Sequence, residues 1–165
     1  MNLILNGIFV LFLMFHVTNS FALSSDLKEK MYVTADSTLY NYKTGVTSFE
    51  GHVKINQGTT HITADRVTTK TNLKHQIQEA IAYGIQQPAH YWALLKTGNP
   101  EVQASANIIK FFPLATNVTL EKNVRIMQGE NSFEGQLIIY NRHEQTITVP
   151  AYKNSRAVLV YNPDK

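Results

Sequence analysis

The chain has 165 residues, enough for one domain with its own core and too few for two ordinary ones. Its 15 Lys and Arg stand against 12 Asp and Glu and are scattered singly, so the sequence carries no basic stripe of the kind that follows a nucleic-acid backbone. It has no cysteine, which excludes a disulfide scaffold, thiolate metal sites and cysteine catalysis together.

Residues 1 to 25 bear no charged side chain, and Leu3 to Val17 is mostly Leu, Ile, Phe and Met. Ser20-Phe21-Ala22 follows, with small residues where a signal peptidase cuts, so residues 1–22 read as a secretory signal and residues 23–165 as one extracytoplasmic domain. The apolar stretch is about 15 residues, interrupted by Asn6, Gly7 and His16, whereas a spanning helix wants about 20. The alternative is an uncleaved inner-membrane anchor, because the segment has no Lys or Arg before its apolar run.

Beyond the signal the chain is rich in Val, Ile, Thr, Tyr and Phe and reads as short strands throughout. From Ser48 to Asn56, Phe49, Gly51, Val53 and Ile55 point one way, with Glu50, His52, Lys54 and Asn56 opposite; this period of two marks a half-buried strand. Thr119 to Met127 repeats the pattern through Leu120, Val124 and Ile126. Leu27–Tyr32 and Leu73–Ala82 could be argued as helix, but the first is too short to stand alone and both are assigned to strand or turn.

A short motif recurs, with an apolar residue, a small residue two positions on, and a strand-former after a two-residue gap. It stands as Val33-x-Ala35-x-x-Thr38-x-Tyr40, Ile62-x-Ala64-x-x-Val67-x-Thr69, Ala104-x-Ala106-x-x-Ile109-x-Phe111 and Phe133-x-Gly135-x-x-Ile138-x-Tyr140. The second pair is the first moved along the chain by one constant offset, which takes Ala35 to Ala106 and Ala64 to Gly135. The same offset carries Phe49 to Leu120, Val53 to Val124, Ile55 to Ile126 and Gln57-Gly58 to Gln128-Gly129. Each gap breaks the alternation, as a bulge or tight corner does, and the small residue lets backbones approach there. The expectation is an all-β stack of bent antiparallel strands in two similar halves. Its open edges lie near Met31 and Val33 at one end and Val158 and Val160 at the other.

Chemistry for catalysis is not nominated. His52, His61 and His90 fall on faces opposite Val53, Ile62 and Tyr91, and no histidine stands at a metal-ligand spacing from another. Asp36, Glu50, Asp65 and Glu121 read as surface or turn residues. There is no G-x-S-x-G elbow and no Gly-Lys pair for a phosphate-cradling loop. The expectation is a protein that is not an enzyme and holds neither metal nor cofactor.

The segment from Met31 to Ile147 resembles the OstA-like, or LptA, family of periplasmic lipopolysaccharide transport proteins. The resemblance lies in Phe49-Glu50-Gly51-His52-Val53, Gln57-Gly58-Thr59, Ile62-Thr63-Ala64-Asp65, Pro88-Ala89-His90-Tyr91, Val102 to Ala106 and Leu120 through Gln128. It implies a V-shaped, twisted antiparallel β-jellyroll whose groove shelters the acyl chains of lipid A. It also implies protomers stacked head to tail through their edge strands, bridging an LptC-like inner-membrane protein and an LptD-like outer-membrane protein during outer-membrane assembly. By family match, Leu27, Met31, Tyr91, Phe111 and Pro113 are positions that touch lipid, to which the alternation adds Val33 and Phe49. Val53, Ile55, Ile62, Ile109, Leu120 and Ile126 complete the inward set. Two departures stand out: Lys122 occupies the place of Gly51 on a face expected to point inward, and Ile85-Gln86-Gln87 carries an inserted residue before Pro88.

The residue chemistry points the same way. Exposing an acyl chain of a dozen carbons to water costs about 10 kcal/mol, at roughly 0.8 kcal/mol per CH₂. An apolar interior left open along its length would give several such chains a sheltered path. The competing readings are an anchored LptC-like component and a carbohydrate-binding β-sandwich suggested by Tyr91 and Trp92.

Overall fold

The computed structural model describes residues 29–94, 98–113, 117–141, 144, 146–152 and 156–163. Residues 1–22, read as a signal, and Leu27 lie outside the described residues. Among the described residues twelve strands make up the fold: β1 (Met31–Thr34), β2 (Ser37–Asn41), β3 (Val46–Gln57), β4 (Thr60–Thr71), β5 (Ile77–Tyr83), β6 (Ala89–Ala93), β7 (Val102–Ala106), β8 (Ile108–Phe112), β9 (Asn117–Gln128), β10 (Asn131–Asn141), β11 (Thr146–Thr148) and β12 (Val158–Val160). Every pairing is antiparallel. Leu73–Ala82, open to a helical reading, is a turn followed by β5.

The four long strands each serve two wings. Residues 46–50 of β3 pair with β2, whereas residues 54–57 pair with β1. Likewise β4 pairs with β6 through His61–Thr63 and with β5 through Arg66–Thr71. The second half repeats the scheme, with β9 bonded to β8 and β7 and β10 to β11 and β12. The first wing therefore runs β2–β3–β4–β5–β8–β9–β10–β11. The second runs β1–β3–β4–β6–β7–β9–β10–β12, and the two are joined along a spine where the long strands bend.

The spine is where the recurring motif sits. Ala35 separates β1 from β2, Ala64 marks the point where β4 changes partner, Ala106 ends β7, and Gly135 lies at a register shift in β10. Small side chains at these corners let the wings converge. A second set of corners bends the strand within Phe49–Ile55 without changing its parity. Gly51 and His52 have φ of 76° and 45°, and β3 shifts register between Glu50 and Val53. Their counterparts in the second half, Lys122 and Asn123, have φ of 63° and 54°. Two consecutive left-handed residues turn the strand through the corner and restore inward parity at Val53 and Val124. A Cβ on Gly51 would run into the Asp36 carboxylate, so Gly51 does not point into the groove. Nor does Lys122, which is exposed at the spine, contrary to the sequence expectation that it interrupts the interior.

Hydrogen bonds across the spine obey the same offset. The Asp36 N–H donates to the Gly51 carbonyl at 3.0 Å, and the Asn107 N–H to the Lys122 carbonyl at 3.0 Å. His52 Nδ1 lies 2.8 Å from Asp36 Oδ2, and Asn123 Nδ2 donates to Asn107 Oδ1 at 3.3 Å. At the far rim, Gly58 and Gly129 open two-residue turns with positive φ, the II′ arrangement that matches strand twist.

The connection from β5 to β6, which holds the inserted residue, is gathered by Asp65. Its Oδ2 accepts the N–H groups of Ile85 and Gln86 at 2.6 Å and of Gln87 at 3.4 Å. These bonds, those of Gln86 and Ile85 foremost, hold the carboxyl below its ordinary value of 3.8. Because the folded pKa is depressed, the associated stability is present above the ordinary carboxylate range and is lost as pH falls through the lowered value. Asp65→Asn is expected to lower the urea midpoint at neutral pH and to flatten part of the loss in acid. Measuring that midpoint from neutral to strongly acidic pH checks this, and an unchanged acid slope would contradict it.

Candidate functional site: a groove between two wings

In an antiparallel sheet, residues directly opposite one another share a face. On the second wing the registered partners Val33, Ile55, Ile62, Tyr91, Ala104, Ile126, Phe133 and Leu159 form one unbroken apolar row across all eight strand segments. On the first wing Phe49, Val67, Ala82, Ile109, Leu120 and Ile138 form a facing row. Apart from the exposed Leu159 at the open edge, both rows belong to or pack against one core cluster, in which Val53, Val67, Ile109 and Ile138 are fully enclosed. Each such side chain stabilises the fold by about 1.5–3 kcal/mol.

The interior mixes small and large side chains: Ala64, Ala89 and Ala106 stand at the corners with Val53 and Val124, Tyr91 and Phe133 share a row with Ile62 and Ile126, and Phe111 and Tyr140 lie one row beyond Ile109 and Ile138. Toward the rim of the first wing a further row runs through Tyr40, Thr47, Thr69, Ala80, Phe111, Val118, Tyr140 and Ile147. Tyr91 on the second wing and Phe111 on the first meet across the interior, with ring centroids 5.6 Å apart at 45°. The wings thus touch through tilted aromatic rings midway along the groove. Their backbone connections lie on the spine side.

The structure brings Val33, Phe49, Tyr91 and Phe111 together against this one cluster. Pro113 is half-buried just after β8, and Met31 is 45% exposed on β1 with the parity of Val33. Leu27 lies outside the described residues. At the ends of the stack, β1 pairs only with β3 and β12 only with β10 among the described strands. Val158 and Val160 are about half exposed at 49% and 51%, and Leu159 and Tyr161 beside them more so. Tyr40, Val118 and Tyr140 share the interior face of the first wing but lie outside the inward set read from the sequence; Tyr40 and Tyr140 close two of the recurring motifs, and the offset maps Tyr40 on the inward Phe111.

The outer faces carry charged and polar side chains beside the exposed Tyr32 and Leu39. His52 and His90 are exposed, His61 stacks on Trp92 at 5.3 Å, Lys110 pairs with Glu121 at 2.5 Å and Arg125 with Glu134 at 3.3 Å. Among the described residues no group of three or more His, Asp or Glu is arranged to hold a metal ion. What the arrangement offers is an apolar surface between two sheets that share a spine, of the chemistry that covers long hydrocarbon.

This architecture is that of a V-shaped β-jellyroll with an apolar interior. Residues 32–146 match the family described as LptA/(LptD N-terminal domain) LPS transport protein. Among curated relatives, the lipopolysaccharide export system protein LptH of Pseudomonas aeruginosa is 30% identical over 126 residues, covering 76% of this chain and 71% of that one. LptA of Escherichia coli K12, also a lipopolysaccharide export system protein, is 26% identical over 146 residues, 88% of this chain and 78% of that one. The crystal structure of the P. aeruginosa LptH, the LptA-homologous periplasmic component of the lipopolysaccharide transport device, superposes with a TM-score of 0.76 at 27% identity. It covers 84% of this chain and 99% of that one. The chain belongs to the LptA/LptD N-terminal domain family.

Proposed function

We propose that this protein is a periplasmic carrier of lipopolysaccharide that shelters the acyl chains of lipid A between its two wings. The observation that carries this reading is the unbroken apolar row from Val33 to Leu159 across every segment of the second wing, faced by that of the first. The LptA and LptH relatives, both lipopolysaccharide export system proteins, support it. So does the description of LptH as a periplasmic component. Residues 1–22 serve as the cleaved signal that delivers the chain there, and transport rather than catalysis is its role. A photo-crosslinking residue at Tyr91 or Phe111 is expected to capture lipopolysaccharide in cells. Capture only from outward positions such as His90 would reject the reading.

The partners in this proposal are a second copy of the chain, an LptC-like inner-membrane protein and an LptD-like outer-membrane protein, each added to an open edge. β1 and β12 lie at opposite ends of the stack and expose Met31, Val158 and Val160, as strand addition requires. The row from Val33 to Leu159 would then continue from one protomer to the next. Val158→Pro removes a backbone donor from β12 and is expected to reduce concentration-dependent self-association, read by light scattering. An unchanged oligomer distribution, with the circular dichroism of the folded chain retained, would count against edge stacking.

A further inference from the structure

The rim row of the first wing changes character along the groove. In the N-terminal half it presents the hydroxyl-bearing Tyr40, Thr47 and Thr69. Their counterparts under the repeat offset are Phe111, Val118 and Tyr140, mostly apolar. Where that row ends, a hollow of about 750 Å³ opens beside the turns that follow β2 and β4. Twelve described residues line it, Tyr40, Tyr42, Lys43, Lys74 and His75 among them, and none of the twelve is Asp or Glu.

The two turns are fixed to each other. Asn41 Oδ1 accepts the N–H groups of Lys43 and Thr44 at 3.0 and 3.2 Å, and Asn72 Oδ1 those of Lys74 and Gln76 at 2.9 and 3.0 Å. The Thr71 N–H and hydroxyl both donate to the Gly45 carbonyl, at 3.0 and 3.1 Å. Two ammonium groups are therefore carried on turns tied together beside the mouth of the groove. The repeat does not reproduce them, since in the second half Leu114 and Gln145 take the places of Lys43 and Lys74.

We infer that this hollow holds the phosphorylated sugar head of the lipid whose acyl chains occupy the groove, Lys43 and Lys74 countering a phosphomonoester. An amphiphile in a trough must keep its apolar chains dry while its anionic head stays at a wet boundary beside opposite charge. Lysine is a compact point charge that pairs readily with phosphate. Tyr40, at the end of an interior row and on the wall of the hollow, stands where one environment passes into the other. The inference rests on the transport reading and names where the head of its cargo sits.

The test compares lipid A bearing its phosphates with the same lipid stripped of them, each titrated onto wild type and onto Lys43→Gln/Lys74→Gln. Lys43 and Lys74 are both exposed, so the paired substitution leaves the core untouched. Wild type is expected to favour the phosphorylated form roughly tenfold, a preference that shrinks as salt is raised. The paired variant should bind both forms as wild type binds the stripped one. Equal affinity of wild type for the two forms, or a variant that keeps the preference, overturns the head-group site and leaves the acyl groove standing. Failure of wild type to bind either form removes the transport reading and this inference with it. Inorganic phosphate at millimolar concentration, without lipid, is expected not to saturate the amide resonances of Lys43 and Lys74. Saturation would assign the hollow to free phosphate and overturn the assignment to a lipid head.

Discussion

A strand that passes from one sheet to another must turn its backbone without turning its apolar side outward. The rest of this molecule depends on how β3, β4, β9 and β10 meet that constraint. Paired left-handed residues at Gly51-His52 and Lys122-Asn123 do it in two strands, and small residues with a register shift or partner change do it in the others. Left-handed backbone at His52, Lys122 and Asn123 costs energy for side-chain-bearing residues, so it must be held. The hydrogen bonds from Asp36 and Asn107 across the corners are what the structure supplies for this.

From the bent spine the groove follows. Because the long strands bond to different neighbours on either side of their bends, the wings share a backbone along one side, and the opposite rim is bordered by hairpin turns. Apolar rows then line the space between the wings. Here Tyr91 and Phe111 are only half-buried where they meet, which leaves apolar surface for a chain to cover.

Much of this was legible before any coordinates. The gap after each small residue marked four of the corners, and the constant repeat offset implied two similar halves of one all-β fold. What escaped the sequence did so for physical reasons. The corners at Gly51-His52 and Lys122-Asn123 keep inward parity across the turn, so the alternation runs through them undisturbed and hides the bend. For the same reason Lys122 read as inward-facing. Asp65 looked like an ordinary turn carboxylate because its partners, the N–H groups of residues 85–87, lie far along the chain. The basic hollow was invisible because Lys43 and Lys74 are isolated in sequence and meet only when the turns following β2 and β4 are brought side by side.

A carrier whose cargo lies between its wings must part them at the rim while the spine holds them together. The chain has no cysteine, so paired spin labels can be placed cleanly at Glu130→Cys and Glu144→Cys, exposed positions in the rim turns of the second and first wing. The distance between the labels, measured by pulsed electron resonance with and without lipid A, tests it directly. Lipid lying between the wings lengthens that distance; an unchanged distance on binding means that the lipid does not lie there.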